Sequence, residues 1–245
     1  MRTLVVGGST GLGRAIAVEA ARNGHPVVVH ASEPEGAEAT AADLRTRFGV
    51  AAGGVACDLG RPFDVEGVVT GTRRILGGNV QFLVLSAAVS DPRHDRWDAD
   101  RTSLERIVEV NLVGQLRLLS AFSHDLKSGQ GPAALALVSS VAAIRPRSEN
   151  LAYASAKSAL EFYVAGFRQG EPRSCRVQSY RVGRLSNGGE EASGWLPRGD
   201  PGAVARYIVG HTRRDVDGVV LPASWRPVAA AIRFAPSFVW DALWR

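Results

Sequence analysis

Thr3-Leu4-Val5-Val6-Gly7-Gly8-Ser9-Thr10-Gly11-Leu12-Gly13-Arg14-Ala15-Ile16-Ala17-Val18-Glu19-Ala20-Ala21-Arg22 is the stretch that decides the fold. Its opening residues are wholly apolar after Thr3, enough for a short buried strand. A glycine turn follows, and from Arg14 the apolar residues take helical spacing. Strand, glycine turn and amphipathic helix, in that order, form the frame of a dinucleotide loop. Gly7 and Gly11 let the backbone turn and approach a pyrophosphate, while Gly13 lets helix and strand pack closely. The helix N-terminus then faces the phosphate charge. Ser9, Thr10 and Leu12 complete this set of cofactor-binding candidates. The spacing is G-x-x-x-G-x-G instead of the common G-x-G-x-x-G.

Strands and helices alternate outward from this unit. Val27–His30 reads as a second buried strand ending in Ala31-Ser32, with no acid at its tip. Glu33 precedes Pro34 and belongs to the start of the next helix. An acid there would take the ribose hydroxyls of NAD, so its absence, with Ser32 in its place, favours NADP(H). A helix over Pro34–Phe48 leads to a third strand, Gly53–Ala56. Beyond it Asp58-Leu59 either caps the next turn or accepts from an adenine amino group. A helix over 62–76 and a strand over Gln81–Leu85 come next. Ser86-Ala87-Ala88 after that strand are small enough to let a flat ring lie on the backbone.

Asp91 to Arg101 reads as an exposed loop with a solvated charge run. Thr102–Lys127 reads as one long helix, with Asn111 and Gly114 as unfavourable residues inside it. Further strands fall at Ala133–Ser139, Arg176–Val182 and Gly218–Leu221, and a helix at Asp200–Arg213. Leu185–Pro197 is a loop holding three glycines, placed to cover a substrate. The pattern is that of an α/β, doubly wound Rossmann fold: a seven-stranded, mostly parallel sheet with helices on both faces. It is read as a single unit over 1–245, with about 222–245 as an aromatic extension.

The chemistry concentrates in Val138–Leu160. Ser140 stands where the fifth strand stops, the edge from which α/β sheets present their ligands. A helix starting near Asn150 carries Tyr153 and Lys157 four residues apart, hence on one face. A phenol titrates near pH 10. An ammonium at ~4 Å favours the phenolate by roughly 4 kcal/mol at an effective dielectric of ~20, or about three pKa units. Such a phenol works as an acid–base at neutral pH, and Ser140 can hold a substrate oxygen in line with it.

Taken together, the ordered set resembles the short-chain dehydrogenase/reductase family, in its single-domain Rossmann branch, over about residues 2–221. Val6 to Gly13 matches the family's glycine pattern but lacks its threonine. Asp58-Leu59 matches the adenine-side D-[VL], and Asn111, Ser140, Tyr153 and Lys157 match the catalytic set, with the family's usual thirteen residues between Ser140 and Tyr153. The resemblance implies that Tyr153 is the acid–base and that Ser140 orients the carbonyl or hydroxyl. It further implies that Lys157 holds the nicotinamide ribose and lowers the phenol pKa, and that Asn111 anchors a relay water. Tyr153 and Lys157 thus count among the cofactor contacts, as do Val182, Gly183 and Leu185 after the sixth strand. Three segments depart from the pattern. N-N-A-G is here Ser86-Ala87-Ala88-Val89, P-G is Val182-Gly183, and a later threonine is Asn187.

Composition narrows the partners. The chain has 245 residues, 45% hydrophobic and 22% charged, with a net charge of +5. Its arginines are scattered, which excludes a nucleic-acid stripe. Two cysteines in no paired pattern suit a reducing cytoplasm, and the histidines show no metal-ligand spacing. The start runs directly into a strand, leaving no place for a targeting segment. The substrate expected is a small carbonyl or alcohol, and the assembly a homodimer or homotetramer. The aromatic tail, from Trp225 to Trp244, is read as packing on its own or a partner subunit, against a sharper reading as a membrane-surface anchor. Two alternatives to hydride transfer stay open: a non-redox epimerase or dehydratase, and a nucleotide-binding regulatory subunit.

Overall fold

The computed structural model describes residues 1–90, 95–96, 100–128, 131–170, 175–186 and 196–243. Seven strands form one sheet: β1 (Thr3–Val6), β2 (Val27–Ala31), β3 (Ala52–Ala56), β4 (Phe82–Leu85), β5 (Ala133–Ser140), β6 (Cys175–Val182) and β7 (Val216–Leu221). Their order is β3-β2-β1-β4-β5-β6-β7, and each neighbouring pair is parallel. The order reverses between β1 and β4, which opens a crevice at the carboxyl ends of the central strands.

The strand sequences are apolar throughout because both sheet faces are covered. Successive residues alternate between two cores. Leu4, Val6, Leu83, Leu85, Leu135 and Leu137 join one cluster. Val5, Phe82, Val84, Ala134 and Ala136 join the other. Helices α1 (Gly11–Arg22), α2 (Pro34–Phe48) and α7 (Pro201–Gly210) cover the second face. Helices α3 (Val65–Leu76), α5 (Gly114–Lys127) and α6 (Leu151–Gly170) cover the first.

The segment expected as one helix over Thr102–Lys127 is broken. Helix α4 (Arg101–Val108) runs into a π-helical turn, Glu109–Val113, before α5 begins. The extra residue per turn has a local cause. Asn111 is buried within the turn, and its side-chain amide donates to the Ile107 carbonyl at 2.9 Å, competing with the backbone ladder. Beyond β7, a short 3-10 turn (Ala223–Trp225) leads into α8 (Arg226–Phe234) and α9 (Ser237–Leu243). Among the described residues no helix is long and apolar enough to cross a membrane.

Candidate active site

A cavity of about 1370 Å³ runs along the carboxyl ends of the strands. Gly7, Ser9, Thr10, Gly11, Leu12 and Gly13 line one end of it. Gly7 and Gly11 adopt φ of 77° and 52°, conformations that favour glycine. A Cβ on Gly7 would lie 2.6 Å from the Ala87 Cα, and one on Gly13 would lie 1.9 Å from the Gly7 carbonyl oxygen. These glycines therefore let three backbone segments meet. Thr10 precedes α1 without a side-chain cap, so the first-turn N–H groups are open to a phosphate. Ser32, Asp58, Leu59, Ser86, Ala87, Ala88, Val182, Gly183 and Leu185 line the same cavity, whereas Glu33 does not. The residues present fit a dinucleotide.

At the far end of β2, His30 ties this region together. Its Nδ1 accepts from the Gly7 N–H at 3.3 Å, and its Nε2 lies 3.0 Å from the Cys57 Sγ. Burial holds the imidazole neutral, with its pKa down to about 4, and pushes the Cys57 thiol up to about 12. A neutral ring accepting at Nδ1 must carry its proton on Nε2, which then points at the sulfur. Asp58 makes the capping contact of the first of its two readings. Its carboxylate accepts from the Gly60 N–H at 3.0 Å and pairs with Arg106 at 2.6 Å. Burial raises its pKa, and Arg106, the Gly60 N–H and Arg61 together more than offset this, so the group stays ionised. Neither His30 nor Arg106 was singled out in sequence. For His30 a signal existed, a polar residue closing the otherwise apolar Val27–His30 run. For Arg106, 48 residues from Asp58, there was none.

Ser140 and Tyr153 both line the cavity and face each other. Ser140 Oγ accepts from the Ala142 N–H at 3.1 Å, and its hydroxyl is close enough to the Tyr153 phenol to favour the phenolate. Burial pushes that phenol above its ordinary pKa, with the Ser140 hydroxyl pulling the other way. The lowered pKa expected from a nearby ammonium is not what this geometry produces. Lys157 Nζ sits 6.0 Å from the Tyr153 ring centroid. It donates instead to the carbonyls of Ala87 and Val138, both at 3.2 Å. Burial brings its own pKa down to about 8, Glu161 opposing. Lys157 lies behind the cavity wall, joining the ends of β4 and β5.

Asn111 is also behind the wall. Its Oδ1 accepts from the Val89 N–H at 3.2 Å and its Nδ2 donates to the Val89 carbonyl at 2.7 Å. The Asn111 amide thus braces the segment after β4.

The charge run expected to be solvated differs at Asp95, which is fully buried. Its carboxylate accepts from the backbone N–H groups of Ala152 at 2.7 Å and Tyr153 at 2.9 Å, and its carbonyl accepts from the Asn150 N–H at 2.7 Å. The start of a helix leaves N–H groups unpaired, and here a distant loop supplies the acceptors. Asn150, next to that start, has φ of 62°. Within that run Arg96, Asp100 and Arg101 are exposed, while 91–94 and 97–99 lie outside the described residues, as do most of the expected substrate-covering loop, including Asn187, and the end of the tail at Trp244.

The described tail folds onto its own chain. Arg145 donates to the Ala235 carbonyl and to Ser237 Oγ, and lies 5.1 Å over the Trp240 ring. Trp240 Nε1 donates to the Pro146 carbonyl at 2.8 Å, and Trp225 Nε1 to the Pro197 carbonyl at 2.7 Å. Helices α8 and α9 thereby form part of the cavity wall. Among the described residues no group of three or more His, Cys, Asp or Glu is placed to hold a metal ion.

Comparison with known proteins agrees with this geometry. The chain is 33% identical over 160 residues to dehydrogenase/reductase SDR family member 2, mitochondrial, of Homo sapiens, covering 65% of this chain and 56% of that protein. It is 31% identical over 170 residues to NADPH-dependent aldehyde reductase 2, chloroplastic, of Arabidopsis thaliana, covering 64% and 62%. The matches span a little over half the length of these relatives. In fold it is similar to an alcohol dehydrogenase from the archaeon Thermococcus sibiricus complexed with 5-hydroxy-NADP, with a TM-score of 0.77, 23% identity, and 89% and 94% of the two chains covered. L-Sorbose reductase from Gluconobacter frateurii, complexed with NADPH and L-sorbose, gives the same TM-score and coverage at 20% identity. A family model described as short chain dehydrogenase matches residues 2–185, which hold the glycine turn, Asn111, Ser140, Tyr153 and Lys157. The chain belongs to the short chain dehydrogenase family.

Proposed function

We propose that this chain is an NADP(H)-dependent oxidoreductase that moves a hydride between nicotinamide and a carbonyl or secondary alcohol, with Tyr153 as the acid–base. The observation that carries this reading is the meeting of the Ser140 hydroxyl and the Tyr153 phenol on the wall of a cavity whose other end is the glycine turn. When bound, the nicotinamide supplies or takes the hydride. Gly7, Gly11 and Gly13, with the open N-terminus of α1, would hold the pyrophosphate. Ser32 at the β2 tip, with Glu33 turned out of the cavity, supports a 2′-phosphate over a free ribose hydroxyl. The alcohol dehydrogenase, sorbose reductase and aldehyde reductase named above are described with NADP-type cofactors, which supports the same choice.

In carbonyl reduction the phenol, kept protonated by burial, gives its proton to the carbonyl oxygen. Ser140 donates a hydrogen bond to that oxygen, its own position set by the Ala142 N–H. Lys157 fixes the floor by joining the Ala87 and Val138 carbonyls, and Asn111 holds the neighbouring segment at Val89. For alcohol oxidation Tyr153 must first lose its proton.

The test is NADPH oxidation over a panel of aldehydes and ketones, alongside fluorescence titration with NADPH. Tyr153→Phe should lose about 10²–10⁴ in kcat with nucleotide affinity kept. Product without net NADPH consumption would move the site to a non-redox isomerisation or dehydration. Nucleotide binding with no turnover would make the chain a binding subunit. The same reading extends to assembly. Phe162, 84% exposed on α6 beside the half-exposed Tyr163, supports a homodimer or homotetramer, which Phe162→Asp should dissociate in size-exclusion chromatography.

A further inference from the structure

The apolar stripe of α8 faces the cavity, not the core. Val228, Ala231 and Ile232 recur at i, i+3 and i+4 of α8, Ala235 follows just past its end, and all four line the cavity. A surface helix ordinarily buries such a stripe against its own protein. Here Ala229 is the buried member of α8, while Ala231 is exposed and Val228 and Ile232 are half-buried. The two indoles flanking the stripe carry the same message. Trp225 and Trp240 each spend their one hydrogen-bonding atom on a proline carbonyl, Pro197 and Pro146. They are left to present carbon to the cavity.

Arg145 is likewise turned to the wall itself, holding the Ala235 carbonyl, Ser237 and the Trp240 ring. The cavity's described lining also carries the charged side chains of Asp58, Arg106, Arg147, Glu149 and Arg184. The cavity also exceeds the roughly 300–1,000 Å³ of an ordinary single-ligand pocket. It has room for a second molecule beside a dinucleotide.

We propose that this wall selects hydrophobic carbonyl compounds or secondary alcohols, in which the reacting carbon bears a large apolar chain or ring, and disfavours polyhydroxylated ones. The inference rests on the oxidoreductase reading for its chemistry and on the α8 stripe for its specificity. A sugar-like substrate would leave its hydroxyls unpaired against Val228, Ile232 and two committed indoles, and desolvating unpaired hydroxyls is unfavourable. An alkyl or ring substituent would instead remove its own surface and that of the stripe from water.

The experiment measures kcat/KM with NADPH over methyl ketones lengthening from ethyl to octyl, with L-sorbose as the polar comparison. Each added methylene that reaches the wall should raise kcat/KM about fourfold, and L-sorbose should fall below the whole series. Ile232→Asp should flatten the dependence on chain length. Ala231→Asp, at an exposed position of the same stripe, does so where the first variant fails to fold. A flat series, or L-sorbose preferred, overturns the proposal and leaves the oxidoreductase reading standing. Absence of turnover on every carbonyl removes the oxidoreductase reading alone, because quenching of tryptophan fluorescence by the octyl ketone tests the wall without chemistry. Saturable quenching that Trp240→Phe diminishes and L-sorbose does not produce supports the wall. Absence of quenching overturns it.

Discussion

The carboxylate of Asp95 closes the N-terminus of the helix that carries Tyr153, accepting from the Tyr153 backbone N–H at 2.9 Å across 58 residues of sequence. A loop on one side of the cleft therefore sets the position of Tyr153, the proposed acid–base, on the other. Asp95→Ala should cost about 1–2 kcal/mol, since it leaves two buried donors unpaired. In a chain of this size that is a fall of about 2–8 °C in Tm. Turnover should fall further than nucleotide affinity, because Tyr153 is the group displaced. Asp95→Asn, which keeps one acceptor, should recover part of both. Calorimetry beside steady-state kinetics reads the split, and equal loss of turnover and nucleotide binding would refute the positioning role.

His30 gives the fold an acid sensitivity of calculable sign. The imidazole has its pKa lowered to about 4 in the fold against an ordinary value of 6.5. Between those values the unfolded chain binds a proton that the folded chain refuses, so stability falls as pH falls through this window. The loss reaches about 3 kcal/mol at pH 4 and vanishes above pH 6.5. His25, also lowered to about 4, acts in the same direction. His30→Asn keeps an acceptor near the Gly7 N–H and should flatten the difference between urea midpoints at pH 7 and pH 4.5. His30→Leu should flatten it too, but raise the KM for NADPH.

Directionality should follow the phenol. Burial favours the protonated form of Tyr153, the form needed to reduce a carbonyl. Reduction should hold steady across neutral pH and fall in alkali, while alcohol oxidation should rise with pH as Tyr153 loses its proton. Two initial-rate profiles, one in each direction, check this. Coincident profiles would contradict it.

Lys157→Met removes a buried ammonium and the two hydrogen bonds by which it bridges the Ala87 and Val138 carbonyls, leaving Ala87 with the Gln115 amide. The expected result is a chain that still folds, with turnover down by about 10²-fold or more and weakened NADPH binding. Circular dichroism with fluorescence titration separates this from general unfolding.

Arg145→Ala unfastens α9 from the site, removing the contacts to Ala235, Ser237 and the Trp240 ring. A rise of about tenfold in KM for the carbonyl substrate, with the KM for NADPH unchanged, is expected. Matched changes in both constants would place Arg145 outside the substrate wall.

Where the chain states its structure locally, the sequence is legible. Helix α2, strand β1 and the start of α6 fall where composition and spacing place them, because apolar period, glycine stops and proline starts act over a few residues. The glycine turn is legible for the same reason: its demand is on the backbone of those residues alone. Asp95 was not legible, since a carboxylate inside a charged run has the composition of a solvated loop until the fold brings the α6 N-terminus to it. The π-helical turn at Asn111 was only half legible. An asparagine at mid-helix flagged the site, but the extra residue depends on the amide reaching both Ile107 and Val89. The phenol's environment was misjudged because helical spacing sets which side Lys157 lies on, while two strand-end carbonyls decide where its Nζ goes.

The family match stops at Leu185, and the hydrophobic wall begins only at Trp225 and runs to Trp240. On the proposed reading, reaction and recognition are written largely in separate stretches of the chain, the common machinery early and the address label late. Grafting the closing segment of one relative onto the body of another, with its Arg145 fastening preserved, becomes a rational way to redirect what such a catalyst accepts without touching how it works.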